Sequence, residues 1–546
     1  LDTVPFDPLG SNLTALAALL QGNYFSVQRS NSLVPPHYRM WEPSAYLQDD
    51  WHATPTLTLN LGVRYDVFTP FTEVKNAISN FDPATASIVV ANQNGANQYA
   101  GLNPTWTNLA PRIGFAYTAG PGTVLRGGFG ISYFPMNYTS NSSLKNQPFV
   151  SAFNCNNGNC PAPVPGIGGP GNGAGTFHLG VPLPTAASAT NPAGNIADPV
   201  DPAYRSSYLE QFNLTLEKGF GPNVLQATYV GMLGRHIAQI YNDQNLPPLI
   251  SNNALNALAA QEGLSAGNAY NTLRPFYTQL PNITQIGGYN SRGSSNYNAL
   301  QLTLTRRTSA GLTINANYTL AHGLDNVLNL SNEINDGYGT IPSQISSVDY
   351  GNSDVDIRNR LAFSANYELP FGKSANGFAG ALTRGWQANT ILVWESGEPF
   401  TVINSSGIAT TSFGNHNDRP NQLRKGNLSN PSIAQFFDPT AFAPQVSGVL
   451  GTERKNPLYG PHYRHVDLSL FKNFPVYRET FLQFRAECFN ITNTTNFDNP
   501  NNTLQSSAET ANPDVYAVTP NNVGTITTTS ANYNPRLFQF ALKFQF

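Results

Sequence analysis

Apolar and polar residues alternate along this chain in long, regular segments. Between Leu57 and Val67 every odd position is apolar, while the even positions carry Thr, Asn, Gly, Arg and Asp. A period of two predicts β-strands with two different faces, because successive side chains point to opposite sides. A weaker segment of this kind lies near residues 23–30. The thirteen clear segments are 44–52, 56–68, 111–119, 123–134, 208–218, 222–232, 297–306, 311–321, 358–370, 386–397, 463–473, 480–491 and 536–546.

The length of these segments favours a membrane barrel over a soluble sheet. They run for nine to thirteen residues, whereas strands of soluble proteins usually have about 5–6. About 9–11 tilted residues are needed to cross a bilayer as a β-strand. In such a barrel the apolar face meets lipid and the polar face lines the lumen.

The links between the segments alternate between short and long. The short links are 53–55, 120–122, 219–221, 307–310, 371–385 and 474–479, of which 371–385 is the least typical. The long links are 69–110, 135–207, 233–296, 322–357, 398–462 and 492–535. Outer-membrane barrels have short periplasmic turns and long extracellular loops. The pattern predicts an all-β, antiparallel transmembrane barrel over 44–546, with 1–43 as a loop or weak strand leading into it.

The same rhythm predicts an orientation and leaves the strand count open. A final strand that follows a long outer loop places Phe546 in the periplasm. Complete bacterial barrels have an even number of strands. Either residues 23–30 supply a fourteenth strand, or further strands precede Leu1.

Composition excludes one class of partner, and the predicted barrel indicates the location. Charged residues are 11% of the chain and the net charge is −3, against about 25% charged residues in an average soluble domain. A nucleic-acid binder normally has a basic excess, so no nucleic-acid partner is expected. We expect contact with outer-membrane lipid and a location in the bacterial outer membrane.

Candidate chemistry is sparse, and the sequence predicts neither an enzyme nor a metal site nor a cofactor. Gly263-Leu-Ser-Ala-Gly267 fits the pattern of a hydrolase nucleophile turn, but a predicted helix at 251–263 precedes it where a strand is required. Asp354, Asp356, Arg358 and Arg360 are predicted to form ion pairs at a strand entry. The loop carboxylates and amides near Asp325 could bind calcium, but a calcium site is not preferred, since no EF-hand spacing is present.

The three cysteines divide into two groups. Cys155 and Cys160 lie in a loop rich in Gly, Asn and Pro, and a loop disulfide between them is preferred over two free thiols. Cys488 lies within a predicted strand and is interpreted as a small apolar side chain.

Several stretches from about residue 41 onward resemble the C-terminal barrel of TonB-dependent outer-membrane receptors, of the Oar-like type with a carboxypeptidase-regulatory-like domain. The resemblance is carried by Ala45-Tyr-Leu-Gln-Asp-Asp-Trp51, Thr54-Pro-Thr-Leu-Thr-Leu-Asn-Leu-Gly-Val-Arg-Tyr-Asp66, Ala110-Pro-Arg-Ile-Gly-Phe115, Leu125-Arg-Gly-Gly-Phe-Gly-Ile131, Ser396-Gly-Glu-Pro-Phe-Thr401, Phe437-Asp-Pro-Thr-Ala-Phe442, Val466-Asp-Leu-Ser-Leu-Phe-Lys-Asn-Phe474, Phe484-Arg-Ala-Glu487 and Phe489-Asn-Ile-Thr-Asn493.

This resemblance implies a barrel of about 22 strands with a plugged lumen, of which the chain is the C-terminal part with about 13–14 strands. It implies uptake of a scarce, unidentified nutrient, driven by the TonB complex through a plug that is missing here. It also implies a terminal strand read by the barrel-assembly machinery, formed by Phe538, Phe540, Leu542, Phe544 and Phe546.

Polar residues on the predicted inner faces are the candidates for lining a substrate path or contacting the plug, and plug contact is the preferred interpretation. They are Arg64, Asp66, Arg126, Gln211, Glu217, Gln483, Arg485 and Glu487.

Two alternatives remain open from the sequence. One is a self-contained passive porin of 14 strands, which requires residues 23–30 to pair with 536–546. The other is a secreted or surface β-rich binding or adhesion protein, in which the apolar faces pack together inside.

Overall fold

The computed structural model describes residues 23–24, 26–135, 144–156, 175–176, 194–196, 198–241, 244–308, 311–327, 349–372, 377–404, 419–477, 480–509, 511–519, 521–531 and 534–546. Its main feature is one large antiparallel sheet in which thirteen strands follow one another in chain order. The strands are β1 Ser44–Thr54, β2 Leu57–Phe68, β3 Thr105–Gly120, β4 Thr123–Phe134, β5 Ser207–Phe220, β6 Asn223–Tyr241, β7 Gly288–Arg307, β8 Leu312–Asp325, β9 Asn359–Glu368, β10 Trp386–Glu395, β11 Tyr463–Tyr477, β12 Thr480–Phe489 and β13 Leu537–Gln545.

All thirteen predicted segments are strands of this sheet, and each strand pairs with its neighbours in the chain. Several strands run further than the alternation predicts. The ladder between β6 and β7 continues to the pair Tyr241 and Gly288, so the predicted loop 233–296 begins inside the sheet. Alternation fades there because, beyond the membrane, neither face of the hairpin has to be apolar.

The apolar faces join in register into one continuous band. Leu47 lies opposite Val63, Leu61 opposite Ile113, and Ile113 opposite Phe129. The band continues to Phe540 opposite Ala486 at the far edge. Its side chains stay open to the surroundings, since Phe540 is 69% exposed. No second layer of described residues covers the band, which contradicts the soluble alternative with packed apolar faces.

The polar faces form the concave side of the sheet. A cavity of about 720 Å³ lies against β1 to β5 and is lined by side chains such as Asn60, Arg112 and Asn213. A curved sheet with an apolar outside and a polar inside is the wall of a membrane β-barrel.

The buried hydrophobic core lies in the long links instead of the sheet. One cluster joins Ile78, Leu144 and Val200 from the first two long links. Another joins Phe400 and Phe437 to neighbours from the last two. Phe81 and Phe437 are each only 1% exposed, and burying a side chain of this size contributes roughly 1.5–3 kcal/mol. The links are therefore folded structures with cores of their own.

The links contain short strands and helices. The helices are α1 Asn252–Glu262, α2 Ala266–Thr272 and α3 Gly377–Thr383, with a 3-10 turn at Pro439–Ala441. The short strands are Asn23–Tyr24, Ser26–Ser32, Tyr38–Arg39, Thr72–Glu73, Ser79–Asp82, Ser87–Val90, Val150–Asn156, Gly175–Thr176, Gly194–Ile196, Ile283–Ile286, Gly351–Asn352, Pro399–Phe400, Ile403–Asn404, Asn421–Gln422, Phe442–Ala443, Leu458–Tyr459, Thr503–Ala508 and Tyr516–Thr519. No helix among the described residues is long and apolar enough to cross a membrane.

Helix α1 confirms the helix predicted at 251–263. The Ser251 hydroxyl accepts a hydrogen bond from the Ala254 amide and caps the first turn. Gly263 ends the helix with φ of 66°, a left-handed conformation that glycine adopts without a steric penalty.

The weak segment near 23–30 does not complete the sheet. Ser26–Ser32 pairs with Val150–Asn156 from a long link, so the pairing with 536–546 that a 14-strand porin requires is wrong. Among the described residues, β1 pairs only with β2 and β13 only with β12. Because thirteen alternating strands leave β1 and β13 pointing the same way, these two edges cannot form an antiparallel pair with each other.

The two faces of the wall should differ in how much an added charge lowers the free energy of unfolding. Leu214 faces the apolar side and Asn213 the cavity side of strand β5. We expect Leu214→Lys to lower the free energy of unfolding by about 2–4 kcal/mol, because lipid cannot solvate the ammonium group. The matched variant Asn213→Lys should change it by less than about 1 kcal/mol. Urea unfolding in phospholipid vesicles measures both, and equal losses would contradict this assignment of the faces.

Candidate functional site

The inner wall brings the predicted polar residues onto one face of the sheet. Arg126 lies opposite Thr215, Gln211 opposite Gly130, and Glu487 opposite Ser469. All eight candidates project from this polar face, but they form two separate groups. Arg64, Asp66, Arg126, Gln211 and Glu217 lie on β2 to β5, whereas Gln483, Arg485 and Glu487 lie on β12.

The first group is held by charge pairs between side chains on the concave face. Arg64 Nε donates to Asp66 Oδ1 at 2.8 Å. Glu217 accepts from the Arg126 guanidinium and also from Gln226 Nε2, the latter at 2.6 Å. About half of each arginine side chain is still exposed, so such pairs contribute little stability. Their effect is to hold the guanidinium groups at fixed positions on the lumen surface.

The second group forms a chain of contacts near the last strands. Arg485 Nε donates to Gln483 Oε1 at 2.6 Å, and Gln483 Nε2 donates to Asn473 Oδ1 at 2.9 Å. The Arg485 guanidinium also lies 4.7 Å from the centre of the Phe471 ring, a favourable cation–π contact.

A groove floored by glycine was not singled out from the sequence. Gly62, Gly114, Gly128 and Gly130 line the cavity on adjacent strands of the inner wall. A Cβ added at Gly128 would meet its nearest neighbour, the Ile113 carbonyl oxygen, at 3.6 Å, an ordinary contact. The sheet itself would accept side chains there, so the glycines keep space open beside Arg64 and Arg112. The sequence shows glycine at polar-face positions of neighbouring strands. Only the strand register reveals that these glycines lie side by side and form a groove.

A buried cation joins two of the long links, 322–357 and 398–462. Lys455 Nζ donates to Asp325 Oδ1 at 3.0 Å and lies 3.3 Å from Asp354 Oδ2. Asp325 belongs to the loop considered for calcium binding, but in the structure its carboxylate forms an ion pair with Lys455. Among the residues that the structure covers, no group of three or more potential metal ligands occurs.

The predicted ion pairs near strand β9 are present in part. Arg358 Nε lies 3.9 Å from Asp356 Oδ2, as predicted, whereas Arg360 and Asp354 pair with residues outside the predicted cluster. Arg360 Nε contacts Glu395 Oε1 at 2.5 Å across β9 and β10. Asp356 Oδ2 accepts from the Tyr459 hydroxyl at 2.5 Å. The pKa of Tyr459 is raised well above its usual value. Burial of the side chain is the main cause, and the hydrogen bond to the Asp356 carboxylate is the second. Its phenol therefore stays protonated and acts as a hydrogen-bond donor throughout the physiological range.

Helix α1 joins the third long link to the last two. The Asn252 amide donates to Ser447 Oγ at 2.9 Å, and the Asn253 amide donates to Asp514 Oδ1 at 3.0 Å. Burial alone would raise the pKa of Asp514, but hydrogen bonds from Ser447, Asn253 and Ser251 outweigh it and lower the pKa. The ionised Asp514 thus caps the amino end of a helix more than 200 residues away in sequence, which holds the outer loops together over the wall.

Of the remaining sequence candidates, the structure places Ser265 and Cys488 but does not test the disulfide. Ser265 caps helix α2, since its hydroxyl accepts from the Asn268 amide at 3.3 Å, and a helix precedes it as predicted. Cys488 is a buried free thiol, as expected. Cys160 lies outside the described residues, so the predicted disulfide with Cys155 stays a prediction.

The wall, its polar concave side and its folded outer loops define an antiparallel β-barrel protein of the outer membrane. The family model described as "Outer membrane beta barrel domain" matches residues 5–539, and the chain belongs to this family.

Solved structures with a similar arrangement are distant in sequence. The outer membrane transporter YddB from Escherichia coli is 11% identical with a TM-score of 0.42, over 92% of this chain and 44% of that one. The pyoverdine receptor FpvA from Pseudomonas aeruginosa PAO1 is 9% identical with a TM-score of 0.42, over 94% of this chain and 43% of that one. The chain spans less than half the length of these structures. A search of curated proteins finds no match.

Removing the Asp514 carboxylate should loosen helix α1. We expect Asp514→Ala to speed hydrogen exchange of the amides of α1 by about fivefold, because losing a helix cap costs about 1 kcal/mol. Hydrogen exchange with mass spectrometry measures this at neutral pH. Asp498→Ala is the control, since among the described residues the Asp498 side chain accepts only from the amide of its neighbour Asn499. Unchanged exchange in the Asp514 variant would show that the helix needs no cap from the distant loop.

The lowered pKa of Asp514 also predicts an acid transition in the outer loops. A carboxyl with a depressed folded pKa stabilises the folded loops above its unfolded pKa of about 3.9, and loses that contribution as the pH falls through its folded pKa. Cleavage of the α1 region by an acid protease should rise as the pH drops below about 4. In Asp514→Asn the cleavage should already be raised at pH 5 and should change less with further acidification; parallel curves for the two proteins would contradict the assignment.

Proposed function

We propose that this chain forms the wall and the outer loops of a TonB-dependent receptor that takes up a scarce nutrient across the outer membrane. The observation that carries the proposal is the polar, glycine-floored groove of the inner wall, which lies within a lipid-facing sheet whose long links fold above it. The wall excludes lipid, the outer loops contact the external medium, and no bond chemistry is performed.

We further propose that the sheet is part of a larger barrel, the C-terminal portion of an Oar-like receptor of about 22 strands. In lipid, each unpaired backbone group costs several kcal/mol, so a spanning sheet cannot keep open edges. The edges of β1 and β13 are unpaired among the described residues and point the same way. Further strands that pair with both would satisfy these groups and give an even number.

In this proposal the eight polar residues of the inner wall contact a plug that fills the lumen. Fixed guanidinium groups such as those of Arg64 and Arg126 suit hydrogen bonding to backbone and carboxylate oxygens of such a plug. The orientation follows the loops: the long links face outward, and the short links and Phe546 face the periplasm. The exposed aromatic face of β13 would then be presented to the barrel-assembly machinery during insertion.

In this proposal the energy for uptake is transmitted through the plug, so the wall and outer loops by themselves should not support energised uptake. We expect a strain that lacks its own receptor to show no TonB-dependent uptake when this chain is produced alone. Growth on the limiting nutrient in strains with and without TonB measures this. TonB-dependent growth supported by the chain alone would overturn the proposal.

Filling the groove should affect transport without affecting folding. We expect Gly128→Trp in the full-length receptor to lower uptake about tenfold or more, since the indole would occupy space that the plug or nutrient needs. Gly128→Ala is the matched control, because its Cβ reaches only ordinary contact distance and should leave uptake unchanged. Heat-modifiable migration in detergent gels checks that both variants fold; normal uptake by a folded Gly128→Trp receptor would show that the groove is not used.

A further inference from the structure

The link 371–385 differs from the other short links in length and in surface. It contains helix α3, Gly377–Thr383, and exposes three large apolar side chains. Phe378 is 81%, Phe371 61% and Leu382 49% exposed. A turn that only reverses the chain needs about 2–5 residues. A helix that exposes Phe378 and Leu382 is therefore expected to be covered by a component of the protein's surroundings.

Two side chains of the wall show on which side this link lies. Trp386 and Lys472 are directly opposite each other on β10 and β11. Both belong to the apolar face, since Lys472 is also opposite Phe484, which is opposite Leu542. Trp386 Nε1 donates to the Leu382 carbonyl at 2.9 Å, and Lys472 Nζ donates to the Arg384 carbonyl. Because donors on the lipid-facing side reach these carbonyls, the end of the link folds over the outside of the barrel.

The position of Lys472 supports the same arrangement. A lysine on a lipid-facing surface normally extends its ammonium group toward the headgroups. Here Lys472 is only 1% exposed, with its ammonium 4.9 Å from the Phe474 ring centre and 5.6 Å from that of Trp386. The Arg384 carbonyl of the link and two aromatic rings of the wall therefore cover the cation at the edge of the apolar band.

The charges of the link match a phospholipid surface. Residues 371–385 include Lys373 and Arg384 and no acidic residue. Basic and apolar residues together are the composition of segments that lie in the interface of anionic membranes. The end of helix α3 also adjoins the lipid-facing band, because the Leu382 carbonyl accepts from Trp386 on that face.

We propose that helix α3 of this link is a membrane anchor, in which Phe378 and Leu382 insert into the headgroup and upper acyl region of a phospholipid leaflet beside the barrel wall. Under the orientation proposed above, this is the periplasmic leaflet. Lys472 and Trp386 position the anchor by holding its carboxyl end against the outside of the wall. Lipid contact itself does not depend on the identity of the transported nutrient.

The test measures the depth of the anchor in a membrane. A nitroxide label is attached to Phe378→Cys in the full chain, with the three native cysteines replaced by alanine, in vesicles of phosphatidylethanolamine and phosphatidylglycerol. The matched control is a label at Leu423→Cys, an apolar position that is 63% exposed in an outer loop. We expect the ratio of collisions with lipid-soluble oxygen to collisions with a water-soluble nickel chelate to be at least threefold higher at 378 than at 423. Equal ratios would overturn the proposal and favour a link in water, free or bound to a periplasmic protein.

A second arm tests the positioning residues with the label at 378. Lys472→Met and, separately, Trp386→Phe each remove one donor to the link, and either should increase the mobility of the nitroxide. The control is Lys218→Met. Lys218 Nζ donates to Thr123 Oγ1 at 2.6 Å and to the Pro121 carbonyl, so it contacts a different short link. Heat-modifiable migration confirms that each variant is folded. If both variants leave the mobility unchanged, the wall does not position the anchor.

Discussion

The structure depends on one constraint: a strand that faces lipid has no water to hydrogen-bond its backbone, so every amide and carbonyl must pair within the sheet. The simplest solution is a meander in which each strand pairs with its neighbours in the chain, and this is the observed order from β1 to β13. Lipid contact in turn fixes the register of the apolar side chains, because a slip of one residue would turn an apolar face toward the lumen.

Lipid contact also explains where the buried core lies. In a soluble protein the apolar faces of strands would pack together, but here lipid already covers them. Phe81, Leu144 and Phe437 are instead buried in the long links, which face water and must bury apolar side chains to fold. The polar wall carries ion pairs and glycines, and the outer loops carry the hydrophobic clusters, so the usual distribution of polar and apolar residues is inverted between sheet and loops.

The sheet was predictable from sequence because its signal is local. Two-residue alternation from Leu57 to Val67 specifies both a strand and its faces, and Ser251 and Gly263 mark the ends of a helix within a dozen residues. The eight polar residues of the inner wall were predicted to share a face for the same reason. By contrast, the pairs of Lys455 with Asp325 and of Asp514 with Asn253 join residues 130 and 261 positions apart, and no periodic pattern marks them. The partner of residues 26–32, which is Val150–Asn156, could not be predicted, because a short polar strand carries no signal for its partner.

The long-range bonds between helix α1 and the loops around Ser447 and Asp514 have a consequence for recognition from outside the cell. The surface they create combines segments from three distant stretches of the chain, which meet only in the folded protein. An antibody or phage protein that binds there would recognise the assembled shape and would ignore synthetic peptides of the individual loops. Such a binder would report, on intact bacteria, that membrane insertion has been completed.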